Sequence, residues 1–203
     1  MTVGGAQRIL DHVWIVEQHS ARKQEAMLAF LFNHLSDAYD AVIDRERNLA
    51  NIEAMVDHLL VGAQAWARRG RELLDVGCGT GLSVNVAMRR GVAIVGTDVS
   101  ADMVGQARSA GLETIALLDL ESAVARFAGA FASYVFHLDP EPSDLPAIMR
   151  AIAGDGRMIA NFHKGHGLRR FTTHASTLGY DVSCPRIDAG TRHGPYVSVR
   201  TPR

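Results

Sequence analysis

The chain has 203 residues, 47% hydrophobic and 21% charged, with a formal net charge of −1. That length holds one domain with a sizeable core and is short for two, and the charge balance excludes a large basic footprint for nucleic acid. Two cysteines, Cys78 and Cys184, give neither a disulfide framework nor a zinc spacing, and no apolar run reaches membrane-spanning length.

Residues 1–70 carry no strong strand signal. Val13 to Val16 is a short apolar cluster, and Ala26 to Phe32 is apolar over a helix-compatible length. Ile43, Leu49, Ile52, Met55, Val56, Leu59 and Leu60 recur mostly at steps of three and four. The segment reads as two or three helices that must bury their apolar faces against an α/β core. No basic segment with an apolar core opens the chain, so a cytoplasmic protein is expected, with no membrane or nucleic-acid partner. Arginine pairs at 68–69, 89–90 and 169–170 read as solvated surface, the first two near helix ends.

From Glu72 the pattern changes. The run Leu73-Leu74-Asp75-Val76 predicts a buried strand. Gly77, Gly79 and Gly81 predict a tight turn into a helix over 82–90, closed by Gly91. The free N–H groups of such a helix point into the turn and make it a ligand cradle. Strands and helices then alternate. A strand over 92–97 ends at Asp98, and Ser100 caps a helix to Arg108. A strand over 114–118 ends at Asp119, and one over 132–136 runs into His137-Leu138-Asp139-Pro140. A helix over 143–153, a strand over 157–162 and a helix over 168–178 come next, the last stopped by Gly179. Pro185 interrupts the run from Tyr180 to Ile187 with a bulge or an early end, and a last strand covers 196–200. This alternation implies an α/β fold with a parallel sheet between helices.

Residues 73–81, Leu-Leu-Asp-Val-Gly-Cys-Gly-Thr-Gly, resemble the first motif of the class I S-adenosylmethionine-dependent methyltransferases. The competing dinucleotide fingerprint Gly-x-Gly-x-x-Gly requires glycine where Leu82 stands. The resemblance covers roughly residues 70–200. It implies a Rossmann-like, seven-stranded, mostly parallel sheet with a reversed final strand and helices on both faces. It also implies an N-terminal helical lid over 1–70 and a cofactor-binding core over 71–203. The expected cofactor is S-adenosyl-L-methionine, with S-adenosyl-L-homocysteine as product, and the expected partner is a small-molecule substrate of a monomer or homodimer.

The same resemblance distributes roles. Gly77, Cys78, Gly79 and Gly81 form the cradle, and Asp75 orients it and the methionine ammonium. Asp98, seventeen residues past Gly81, ends its strand where a carboxylate accepts hydrogen bonds from two ribose hydroxyls. Its alternative is a helix N-terminal acid beside the cap Ser100. Asp119 suits the adenine amino group and the backbone of Leu120 a ring nitrogen, with Val99 and Met103 as apolar walls. Phe136 borders the cofactor. Tyr39, in Asp37-Ala38-Tyr39-Asp40, closes over the methionine end or packs on the core; both readings stay open.

An acceptor hydroxyl or ammonium needs a base, and histidine is the simplest. His137, at the end of the fourth strand, is the first candidate and His163, after the fifth, the second. Surface or capping histidines are the alternative for both. His163 and His166 lack a third ligand, and Asn161 has no acid beside it, so no metal is expected. His137-Leu138-Asp139-Pro140 replaces the run with which the family methylates nucleobase or glutamine amide nitrogens. A small-molecule methyltransferase is the leading reading. A cofactor-dependent enzyme of other chemistry, such as a cyclase, and a non-catalytic binding subunit are the alternatives on the same fold.

Overall fold

A computed structural model describes residues 6–10, 13–16, 21–61, 72–139, 141–188 and 194–202. Two short strands, β1 (Ala6–Leu10) and β2 (Val13–Val16), pair with each other as an antiparallel hairpin. Seven more form one sheet: β3 (Leu73–Val76), β4 (Ile94–Thr97), β5 (Glu113–Thr114), β6 (Gly129–Ala132), β7 (Met158–Asn161), β8 (Asp181–Ser183) and β9 (Tyr196–Arg200). Their order across the sheet is β5-β4-β3-β6-β7-β9-β8. The five strands from β5 to β7 in that order are parallel, and β9 is antiparallel to both β7 and β8. The chain reverses its direction of progress across the sheet between β3 and β6. In open α/β sheets that point, at the strands' carboxyl ends, is where ligands sit.

The central strands are buried on both faces, and their side chains alternate between two cores. Leu73, Phe131 and Ile159 share one core with the helix Arg45–Leu60, here α3, which contributes Ile52, Met55, Val56 and Leu59. Leu74, Ala130 and Met158 face the other side, with Ile148 of α6 (Leu145–Ala151) and Phe171 of α7 (Gly165–Thr177). α4 (Val84–Arg90) and α5 (Ala101–Ser109) join the α3 side through Val86 and Ala107. Gly91 closes α4 at φ 62, the left-handed turn that a side chain would strain. Ser100 caps α5 by accepting a hydrogen bond from the backbone N–H of Met103 at 3.1 Å.

Three expectations need correction. Residues 1–70 include the β1–β2 hairpin, because Val13-Trp14-Ile15-Val16 is β-branched and aromatic throughout. The third strand of the sheet stops at Thr114. Residues 117–122 form a 3-10 turn that buries Leu120 and leaves Leu118 90% exposed, a spacing of three and not two. The fourth strand lies earlier than 132–136: the small residues of Gly129-Ala130-Phe131-Ala132 fill the crowded sheet centre, and the chain turns away at Ser133. The sixth, as expected, ends early, at Ser183, two residues before Pro185. Of the arginine pairs, Arg89 and Arg90 bridge to Glu53 and Asp57 on α3, and Arg170 to Glu141. Arg68 and Arg69 lie outside the described residues.

α1 (Ala21–Leu35), a 3-10 turn at Ser36–Ala38 and α2 (Tyr39–Val42) cross over the carboxyl ends of β3, β4 and β6. Gln24 Nε2 donates to the Leu138 carbonyl at 2.9 Å on one bank, and Ser100 Oγ donates to Asn33 Oδ1 at 2.6 Å on the other.

Candidate active site

The glycine turn is stitched to the end of β4. The backbone N–H groups of Gly77 and Cys78 both donate to the Thr97 carbonyl, at 2.8 and 3.0 Å. Gly79 N–H donates to Asp98 Oδ2 and Ser100 N–H to Asp98 Oδ1, each at 2.9 Å. Gly81 sits at φ 85 with the α5 backbone against it. A Cβ there would stand 2.9 Å from the Cα of Ala107, so only glycine lets the helix come this close. α2 is fastened to the same turn: Thr80 Oγ1 donates to Asp40 Oδ1 at 2.7 Å, and Arg45 pairs with the same carboxylate.

Three acidic or nucleophilic groups share this corner, and burial dominates each. Asp98 is pushed up by burial and pulled back by the N–H groups of Ser100, Gly79 and Val99. Asp75, 2% exposed behind the turn, is pushed up to about 7 by burial; Ser83 lowers it and the neighbouring Asp98 raises it. The Cys78 thiol is pushed well above its usual range by burial beside Asp75 and Asp98, so it is a packed thiol and not a nucleophile. Tyr39 is raised to about 12 by burial and by Asp98. Its Cε1 lies 3.7 Å from where a Gly79 Cβ would be, so the ring covers the turn.

A cavity of about 850 Å3, including its open mouth, lies between this turn and α1. Of the predicted residues, Tyr39, Gly77, Gly79, Asp98, Val99, Met103 and Phe136 line it. Asp75, Cys78 and Gly81 stand behind the lining. Asp119 is exposed in the 3-10 turn, and Leu120 is fully buried in the core; Leu117 of that turn reaches the cavity instead. His137 and His163 lie outside the lining and against each other, ring centroids 4.6 Å apart.

Several lining residues carry no motif in the sequence. α1 supplies Glu25, Leu28 and Phe32, and the segment before α6 supplies Asp139, Ser143 and Asp144. Asp139 is raised by burial, though a backbone hydrogen bond at Glu141 holds it down; Glu25 raises it further. Asp144 reaches about 6, chiefly by burial, with Asp139 and Glu25 adding to the rise. Thr97 Oγ1 and Ser133 Oγ are buried without a hydrogen-bond partner. Among the described residues no group of three or more His, Cys, Asp or Glu is arranged to hold a metal ion.

The far wall is built around Tyr134. Its φ is 59, held by its own N–H, which donates to Asn161 Oδ1 at 2.6 Å. Asn161 is wholly buried at the end of β7, which is why a polar residue stands in that apolar strand. Asn51, wholly buried on the apolar face of α3, donates to the Tyr134 hydroxyl at 3.2 Å and accepts from the Tyr196 hydroxyl at 2.6 Å. His163 stacks on the Tyr134 ring with centroids 3.9 Å apart, and the Arg47 guanidinium lies 5.5 Å from the ring centre. Burial, with neighbouring positive groups, pushes His137 down to about 3 and His163 to about 4, so both are neutral near pH 7. A buried asparagine on an apolar helix face and another inside a strand are the sequence signals that mark this network.

Residues 73–155 match a family model described as a methyltransferase domain. Over 144 residues the chain is 36% identical to the O-methyltransferase resE of Aspergillus sclerotiorum, a match over 65% of this chain and 49% of that protein. The chain thus spans about half the length of this curated relative. The fold is shared with the 1,6-didemethyltoxoflavin-N1-methyltransferase of Burkholderia thailandensis at TM-score 0.64 and 17% identity, covering 98% of this chain and 100% of that one. It is shared also with the magnesium protoporphyrin IX methyltransferase of Synechocystis PCC 6803 at TM-score 0.57 and 18% identity, covering 88% and 97%. Residues 73–155 are thus similar to a methyltransferase domain, and the sheet order is that of a fold shared with solved methyltransferases.

Proposed function

We propose that the chain transfers a methyl group from S-adenosylmethionine to a small-molecule acceptor in the cavity between the glycine turn and α1. The observation that carries this reading is Asp98. Its carboxylate is half-buried, faces the cavity, and takes backbone N–H bonds from Gly79, Ser100 and Val99. A carboxylate offers about four acceptor sites, so accepting capacity remains. Burying such a group is costly unless donors reach it, and the two vicinal hydroxyls of a ribose supply them as charge-assisted bonds. Val99, Met103 and Leu117 offer an apolar slot beside it for a base. The orphaned hydroxyls of Thr97 and Ser133 add unmet polar groups in the same walls.

When bound, the cofactor supplies an electrophilic methyl group. The chain positions and excludes water. Tyr39, Leu28 and Phe32 roof the cavity, and Tyr39 meets Phe32 edge-on with ring centroids 6.0 Å apart. Holding two reactants in line while keeping water out supplies a large share of the rate. His137 and His163 act through Tyr134, the residue that touches both them and the cavity, and so serve as positioning residues. Oxygen is the acceptor atom favoured by the relative that is named an O-methyltransferase.

Calorimetric titration with S-adenosylhomocysteine tests the cofactor site, and we expect a single site. Incubation with S-adenosylmethionine labelled in its methyl group and a panel of phenols, carboxylates and amines tests transfer, and we expect label on an oxygen. Absence of binding overturns the reading; binding without transfer to any acceptor leaves only a binding protein.

A further inference from the structure

Behind the far wall of the cavity, against Tyr134, stands a cation with one unfilled donor. Arg47, in the first turns of α3, makes no ion pair with any described carboxylate, and its Nε is buried without a hydrogen-bond partner. Asp44, in the same turn, caps the helix instead: its Oδ1 accepts from the Arg47 backbone N–H at 3.0 Å. Arg45 on α3 and Arg89 and Arg90 on α4 are, by contrast, all paired with acids. The Tyr134 hydroxyl is hydrogen-bonded by Arg47 and by Asn51, and no described residue accepts its own proton. An arginine fork next to a phenol O–H is a two-donor arrangement, and its natural complement is a carboxylate. The neighbouring imidazoles, neutral near pH 7, supply no competing anion.

We propose that Arg47 and the Tyr134 hydroxyl form an anion subsite that selects acceptors carrying a carboxylate. The inference rests on the methyl-transfer reading for its purpose, since Tyr134 also lines the cofactor cavity. Asn51 keeps the phenol in place and Asn161 keeps its backbone in place, so the phenol is oriented before anything binds. The carboxylate is the handle; the accepting atom lies elsewhere on the same molecule, toward the turn.

The test uses benzoate and its neutral isostere benzamide as probes, titrated with and without S-adenosylhomocysteine. Wild type binds benzoate at least tenfold more tightly than benzamide. Arg47→Gln abolishes that preference, with S-adenosylhomocysteine affinity within twofold of wild type. Tyr134→Phe, which keeps the ring, reduces the preference three- to tenfold. Equal affinities in wild type, no benzoate binding, or a preference that survives Arg47→Gln overturns the proposal. If Arg47→Gln does not fold, Arg47→Lys decides: a preference retained in full refutes a fork-shaped site, and a reduced one supports it. Failure of the cofactor reading is separate, because it appears as no binding of S-adenosylhomocysteine whatever the probes do.

Discussion

The two walls of the cavity are built in opposite ways. The wall at the glycine turn is held by backbone groups: the N–H groups of Gly77, Cys78, Gly79 and Ser100 fix the ends of β3 and β4 against Asp98 and the Thr97 carbonyl. The wall at Tyr134 is held by side chains that come from distant parts of the chain. Asn51 and Tyr134 are 83 residues apart in sequence, and Asn51 and Tyr196 are 145 apart. A wall made of backbone tolerates changes in most side chains and presents a fixed surface. A wall made of side chains changes with every substitution. The first arrangement suits the ligand common to a family, and the second suits the ligand that differs from one member to the next.

The largest expected effect tests how the backbone wall carries its buried acid. Between the ordinary carboxylate value of 3.8 and about 7, Asp75 holds a proton in the folded chain that the unfolded chain has released. Stability therefore falls as pH rises through that window and falls no further above it. At about 1.4 kcal/mol per unit the loss is on the order of 4 kcal/mol at most. His137 and His163, lowered from 6.5, act oppositely and add stability as pH rises toward 6.5. The measurement is thus a difference: urea unfolding of wild type and Asp75→Asn from pH 4 to pH 8, with the downward contribution absent in the variant. Equal slopes would show that Asp75 is ionised throughout.

Next comes Asp98→Ala. Losing two charge-assisted bonds at about 1.5 kcal/mol or more each lowers S-adenosylhomocysteine affinity about 100-fold. Calorimetry giving wild-type affinity would remove Asp98 from the site.

Asn161→Ala probes the opposite wall. It frees the Tyr134 backbone from its positive φ, and we expect turnover to drop about 30-fold, within the cost of a strained residue losing its support. S-adenosylhomocysteine affinity should stay within about threefold of wild type, as it would if the walls are independent. A matching loss of affinity would show that the walls are one unit.

Tyr39→Ala should weaken the cofactor about tenfold by uncovering Gly79, the cost of one lost apolar covering. Tyr39→Phe should not, because the ring does the covering. The smallest effect is His137→Ala, a few-fold loss of turnover without change in cofactor affinity. A loss of about 1000-fold, the scale of general base catalysis, would make His137 the base itself.

The same division decides what the sequence shows. Gly77 to Gly81, Asp98 and the cap at Ser100 are legible because each acts within a few residues or at a strand tip whose position the apolar run announces. Residues 114–118 mislead, since Ile115, Leu117 and Leu118 fit a strand by composition, and only the exposure of Leu118 beside the burial of Leu120 shows a period of three. Asp119 depends on that strand for its place at the site and moves outward with its loss. Arg47, Asn51, Tyr134 and Asn161 share no local pattern; they meet because α3 crosses the sheet against β6 and β7. His137 and His163 follow the strands that end here, as the sequence has it, but their rings turn toward Tyr134 and each other.

α1 lies across its supports like a beam on two piers, Leu138 at one end and Ser100 at the other. Hydrogen bonds at those piers are worth about 1 kcal/mol each, and between them Leu28, Leu31 and Phe32 pack with Leu138 and Val99. The fifteen residues of the beam roof the cavity, so its cover rests on contacts apart from the ladder that holds the sheet together.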